Sequence, residues 1–357
     1  MTLPRLLWDI GTAYDLFVSL RVLHNPANYG LRGAWAAGVR ARLPVAERET
    51  LDEAQLLYRI PLHWVHTLPE PKDSAAILWA LGRIPPADRL PTLAMSPKMS
   101  PNMKEMLQNV AARQAWDEQD VEVLRAHPGV LGKKYSPSVK TLAKFLTGWS
   151  RAEEFGERYL GALRTFHEVF FAEEERRIQP VLEAALAQAQ ELAGRLALPD
   201  LLEELSQGVR FAELPKEAEL VLAPSYWSTP LVFRGKADPE RAIWLFGAKP
   251  ADASLVPGTV VPDTLRRAFK ALSASTRLRI LHHLAEEPLT PAQLSRRLRL
   301  RIPTVTHHLR VLRLAGLVHL TVDKSIERGK EPYTIRFEAV DTVFAMLKRY
   351  LGKQDSP

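Results

Sequence analysis

The sequence predicts a mainly α protein, with a large helical amino-terminal domain carrying a few short strands and a carboxy-terminal module of four short helices that closes in a β-hairpin. Three observations predict it. Apolar residues recur at helical spacing through most of the first 215 residues. Between residues 219 and 249, three short apolar runs, ELVLAPSYW, TPLVFRG and AIWLFGAK, are separated by turn residues and read as strands. From Leu265 onward, short helical stripes with their own start and stop residues lead into two alternating runs around a polar turn. The expected domains are a helical part over 1–215, a short β-containing connector over 216–260, and the terminal module over 261–357.

In order, Trp8, Tyr14, Phe17 and Leu20 to Leu23 outline a first helix ended by HNP. Arg5, Asp9 and Asp15 interrupt its apolar pattern, so it reads as amphipathic and not as a signal peptide. RGAWAAGVRARLP, ERETLDEAQLLYRIP, SAAILWALGRIPP, NMKEMLQNVAARQAWDEQDVEVLRAH and PSVKTLAKFLTGW follow as helical segments. A long one then runs from Ala152 to Leu196, with a kink expected at Pro180.

The carboxy-terminal helices are better marked. Leu265 to Leu272 forms one; Ser275 or Thr276 opens a second with Leu278, Leu281 and Leu284 inside; Thr290 opens a third with Pro291 in its first turn and Leu294 and Leu298 inside. The fourth lies in IPTVTHHLRVLRLAGLV. Advancing 100° per residue puts Val305, Leu309 and Leu312 on one side, with His308 at the edge, and Pro303, Thr306, His307 and Arg310 on the other, flanked by Thr304. Gly316 ends the helix, expected over 303–315. The outer face is small, polar, singly positive and free of acids, which suits a polyanion with base edges. Few residues separate the third and fourth helices, the spacing of a helix-turn-helix whose second member enters the major groove. LVHLTV and PYTIRF then form a hairpin whose tip, 324–330, carries Lys324, Arg328 and Lys330.

The stretches ALSASTRLRILHHL, LTPAQLSRRL, TVTHHLRVLRLAGLV and PYTIRF, in this order, resemble the winged helix-turn-helix of the ArsR-like transcription regulators. The resemblance covers about the last quarter of the chain. It implies that Thr304, Thr306, His307 and Arg310 contact bases and phosphates, and that Arg328 and Lys330 lie on the wing. Arg299 and Arg301 stand where that family usually has a turn glycine and a capping serine, and Ile302 replaces a polar residue. Loss of the capping hydroxyl costs about 1 kcal/mol; two added arginines favour phosphate or guanine, and Ile302 suits a thymine methyl. DLFVSLRVLHNPANYGLRGAWAAGVRARLP, with APSYWSTPL, further resembles ArsR-like regulators that carry a long amino-terminal domain of unknown function.

Charge points the same way. Residues 261–357 hold 18 Lys and Arg against 9 Asp and Glu, a net of +9, whereas the first 260 residues hold 30 against 32. Basicity confined to one small domain is the electrostatic footprint of nucleic-acid binding.

The chain has no cysteine, which excludes disulfides, thiolate metal sites and thiol redox sensing. The family's usual metal inducers are therefore not expected, since the third helix lacks thiols and the carboxy-terminal helix lacks histidine. His63, His66 and Glu70 are read as structural, and His167 and Glu168, which lack the second histidine of a zinc-protease motif, as helix surface; no metal and no cofactor is expected. No phosphate-loop, G-x-S-x-G or H-E-x-x-H pattern occurs, and Ser225 to Ser228 come with no marked base, so no enzyme is expected. The protein is expected in the cytoplasm, without a membrane span.

The expected function is sequence-specific transcription regulation on double-stranded DNA, with repression favoured, by a homodimer joined through Val343, Phe344, Leu347, Tyr350 and Leu351 of the carboxy-terminal helix. Thr304, Thr306 and His307 are the candidate base readers, and Arg299, Arg301, Arg310, Arg328 and Lys330 the candidate phosphate or guanine contacts. All eight tryptophans precede residue 261, and aromatic-rich helical domains enclose apolar ligands. Trp8, Trp35, Trp64, Trp79, Trp116, Trp149, Trp227 and Trp244 are nevertheless read as ordinary core and edge residues, and the amino-terminal domain is expected to bind a non-metal effector or a protein partner. The alternatives are a domain that only docks a protein partner, or an unrecognised enzyme fused to the DNA-binding module.

Overall fold

The computed structural model describes residues 3–31, 33–127, 138–250, 261–323, 326 and 329–352. The chain is mainly helical with a few short strands, as the sequence predicts. Strand β1 (Arg5–Trp8) precedes α1 (Thr12–His24), α2 (Gly33–Arg40), α3 (Val45–Leu57), α4 (Leu62–His66), α5 (Ser74–Arg83) and α6 (Pro86–Ala94). Helices α7 (Pro101–Arg113), α8 (Glu118–Ala126), α9 (Val139–Ser150), α10 (Ala152–Phe166), α11 (Ala172–Ala193) and α12 (Leu198–Leu205) come next. Four strands follow: β2 (Val209–Phe211), β3 (Glu219–Ser225), β4 (Phe233–Lys236) and β5 (Arg241–Gly247). The carboxy-terminal elements are α13 (Asp263–Leu272), α14 (Ser275–Glu286), α15 (Pro291–Leu298), α16 (Ile302–Leu314), β6 (Val318–Val322), β7 (Tyr333–Ile335) and α17 (Phe337–Tyr350).

These elements form two compact units. The first comprises Met1–Glu183, Glu217–Trp227 and Phe233–Leu245; the second comprises Ala184–Lys216, Ser228–Val232 and Phe246–Pro357. This division departs from the expected boundaries at 215 and 260. The strands expected to form a connector instead build a four-stranded sheet of order β1-β3-β5-β4. In it β1 runs parallel to β3, with Arg5 opposite Glu219 and Trp8 opposite Leu222, and β4 is antiparallel to β5. Trp8 therefore lies in a strand and not in the first helix. A partner more than 200 residues away decides the conformation of residues 5–8, and no local pattern announces it.

Helix α1 is not amphipathic either. Apolar residues surround it, and Thr12 through Leu20 are all buried. Its one acid, Asp15, is fully buried and accepts hydrogen bonds from Ser225 Oγ (2.7 Å), Tyr226 N (3.0 Å) and Trp227 N (2.9 Å). Burial pushes its pKa up to about 6, against these three bonds. Asp9, at the end of β1, accepts from Tyr14 Oη, His66 Nδ1 and Lys72 Nζ, each at 2.7 Å. His63 Nε2 instead meets Thr92 O at 3.1 Å, so the two histidines serve separate structural contacts. Among the described residues, no group of three or more His, Cys, Asp or Glu is arranged to hold a metal ion.

The long segment expected over 152–196 breaks at a π-helical turn, His167–Phe171, between α10 and α11, while Pro180 sits inside α11. The wider turn sends both Phe170 and Phe171 inward beside Phe166. Helix α10 lies against α6 at Gly156, where any Cβ would collide with the Pro86 carbonyl. There the buried Arg89 guanidinium donates to Leu81 O, Ile84 O and Gly156 O, satisfying carbonyls at the end of α5. No helix among the described residues is long and apolar enough to cross a membrane.

In the second unit, α13 to α16 enclose a core of Leu265, Ala268, Ile280, Leu281, Leu284, Leu294, Leu298, Val305, Leu309, Leu312 and Val343. Leu278, expected inside, is exposed, because Ile280, Leu281 and Leu284 set the inward stripe of α14. Strands β2, β6 and β7 form a sheet in that order, and Leu289 bridges the far side of β7 through Tyr333.

Candidate nucleic-acid interface

The turn between α15 and α16 spans three residues, Arg299 to Arg301. Helix α15 begins with a capping box in which Thr290 and Gln293 satisfy each other's backbone N–H groups. It ends in a Schellman motif: Leu300 N donates to Ser295 O (3.1 Å) and Arg299 N to Arg296 O (3.4 Å). Arg299 is left-handed, with φ 55°, where glycine is the usual occupant. Arg301 is the N-cap of α16 and contributes no side-chain capping bond, so Pro303 in the first turn is the remaining start signal.

Helix α16 presents two faces, as the sequence predicts. Val305, Leu309 and Leu312 are fully buried, while Thr304, Thr306, His307 and Arg310 are exposed. Ile302 is 50% exposed at the amino-terminal end. Half-buried His308 marks the boundary, its pKa lowered first by burial and then by Arg277 and His307. Arg296, Arg297, Arg299 and Arg301 are exposed on and after α15, Arg297 pairing with Glu287 at 2.5 Å. The seven candidates Arg299, Arg301, Ile302, Thr304, Thr306, His307 and Arg310 thus belong to one turn and one helix face. A second Schellman motif closes α16, with Leu317 N on Leu312 O and Gly316 at φ 73°.

The hairpin follows, with Val318 opposite Ile335 and Leu320 opposite Tyr333. Lys330 is exposed near its tip, beside Gly329, whose N–H donates to the Glu331 carboxylate. Arg328 and Lys324 lie outside the described residues.

The apolar face expected on α17 divides. Val343 is only 3% exposed and belongs to the module's own core, whereas Leu347 packs against that core and stays partly exposed. Phe344 (48%), Tyr350 (40%) and Leu351 (67%) are exposed, and so is Phe337, which the sequence reading passed over.

Two buried polar groups were also missed. Arg313, at the end of α16, is buried; its Nη1 has no hydrogen-bond partner among the described residues, and burial lowers its pKa to about 10. His319 on β6 is buried against α12 and α17. Arg313 reads as one more basic residue of a basic helix. Only the spacing of Leu309 and Leu312 around it signals its inward direction.

Residues 272–321, from the end of α13 through most of β6, match the family described as a helix-turn-helix domain. No curated protein and no solved structure matches the chain significantly. The carboxy-terminal module is therefore a helix-turn-helix domain, the kind found in DNA-binding regulators.

Proposed function

We propose that the protein is a sequence-specific transcription regulator of the ArsR-like kind, a repressor that works as a homodimer on chromosomal DNA in the cytoplasm. The observation that carries this is the division of α16, whose aliphatic face is sealed in the core while Thr304, Thr306, His307 and Arg310 stand exposed beside a basic turn. Helix α16 enters the major groove. Thr304, Thr306 and His307 read base edges, Ile302 meets a thymine methyl, and Arg299, Arg301 and Arg310 hold phosphate or guanine. The wing, with Arg328 and Lys330, lies over the adjacent backbone. The exposed Phe337, Phe344 and Tyr350 of α17, its C-cap Leu351 and the partly exposed Leu347 supply the dimer contact, which sets two half-sites about one helical turn apart. The helical unit takes a non-metal effector or a protein partner and so governs the module.

Fluorescence anisotropy on DNA from the protein's own upstream region, with excess non-specific DNA and a salt series, tests the reading. Tight binding that weakens steeply with salt and is lost in an Arg310→Ala, His307→Ala variant is the expected result. Equal, weak binding to every DNA sinks it.

A further inference from the structure

A two-stranded hairpin is marginal by itself, and this wing is short: β7 has three residues, all only half-buried. The wing gains a third strand from far upstream. Strand β2 pairs parallel with β6, with Val209 opposite Leu320, Arg210 opposite Thr321 and Phe211 opposite Val322. Leu320 N donates to Gly208 O (3.0 Å) and Ala212 N to Val322 O (2.9 Å), so both ends of the pairing are tied. Gly208 makes the turn from α12 into β2 at φ 95°. A Cβ there would fall 2.8 Å from Arg336 Cδ and 3.2 Å from His319 Nδ1.

His319 lies where the three elements meet. Its Nδ1 is 3.0 Å from Glu203 Oε1 of α12, though off the hydrogen-bonding direction, and its Nε2 is 3.3 Å from Glu338 Oε1 of α17 and 3.5 Å from Arg210 Nη2 of β2. Glu203 in turn accepts from Arg210 Nε at 2.9 Å, and Glu338 from Arg336 Nε at 3.0 Å. Burial and then Arg210 lower the pKa of His319, Glu203 and Glu338 oppose this, and Arg336 adds to the lowering. The imidazole is therefore neutral at pH 7 and acts as a polar spacer between two carboxylates.

We propose that residues 198–212 are a buttress that positions the wing for DNA, with His319 as the positioning residue that fixes β6 against α12 and α17. This rests on the DNA-binding reading above and adds a route of control to it. In sequence the buttress is bounded on both sides by the first unit, which ends at 183 and resumes at 217. The chain thus ties the buttress covalently to that unit on both sides.

Three variants of the full-length protein test it: Ala212→Pro, which deletes one N–H of the β2–β6 pairing at an exposed residue, His319→Ala, and His319→Gln, which keeps a polar side chain. Amide exchange over 318–322 and anisotropy on the best-bound DNA across a salt series are the readouts. The first two variants should speed exchange of these amides roughly tenfold or more. They should also weaken specific binding about 3- to 30-fold and flatten the salt slope by about one phosphate contact, without changing the ranking of DNA sequences. His319→Gln should recover most of both losses. Unchanged exchange, or faster exchange with wild-type DNA binding, overturns the proposal. If the wild-type protein binds no DNA specifically, the DNA reading fails and takes the positioning role with it, while the exchange data alone then decide whether the buttress holds the strand.

Discussion

At the scale of single residues, two side chains occupy places that physical chemistry disfavours, and each makes a measurable prediction. Arg299 holds a left-handed conformation that costs an L-residue roughly 1 kcal/mol and glycine nothing. Arg299→Gly should therefore raise the stability of the second unit by about 0.5–1 kcal/mol in urea while weakening DNA binding; a variant that gains stability and loses no affinity would remove Arg299 from the interface. Asp15 is buried among three donors, and its pKa is raised to about 6. The folded chain thus keeps a proton that the unfolded chain releases near pH 4. Its contribution to the first unit is fully present below pH 4 and is lost as pH rises through about 6, a fall of about 3 kcal/mol. Asp15→Asn should abolish that part of the pH dependence. It should also destabilise the unit by roughly 1–3 kcal/mol at pH 5, because an amide nitrogen then faces donors. Chemical denaturation of both proteins between pH 4 and 8 measures this directly, and parallel curves would refute the assignment.

At the scale of elements, legibility in the sequence follows the range of the interactions. Helices α13 to α16 were readable because each carries its own marks: the Thr290 capping box, Pro291, Pro303, Gly316 and a stripe such as Val305, Leu309, Leu312. The exposed face of α16 followed from the same periodicity, and with it most of the candidate site. Strand β1 and strand β2 were not readable, because RLLW and VRF are short and their partners lie about 200 and 100 residues away. The apolar face of α17 was seen, but its division was not. Val343 and Phe344 differ only in which side of the helix the core occupies, and that depends on packing. The unforeseen strand has a practical consequence. A fragment of residues 261–357, cut where the sequence places the boundary, lacks β2 and leaves the edge of β6 bare. That fragment should associate beyond a dimer at micromolar concentration in sedimentation experiments, whereas the full-length chain, in which β2 covers this edge, should do so less. Equal behaviour of the two would show that β2 does not protect the edge.

At the scale of the whole molecule, the two units differ in charge and in aromatic content. The basic surplus resides in residues 261–357, while the helical unit is nearly neutral and aromatic-rich. Such a division suits a chain in which one part meets a polyanion and the other keeps its surface for something else. It also leaves an optical asymmetry. Every tryptophan, from Trp8 to Trp244, belongs to the first unit, and the helix-turn-helix unit contains none. Intrinsic indole emission therefore reports on one half of this protein and is blind to the other. An unfolding curve recorded at the tryptophan band describes the helical unit alone, and its disagreement with a far-ultraviolet curve marks two units melting separately, through a state in which one is folded and the other is not.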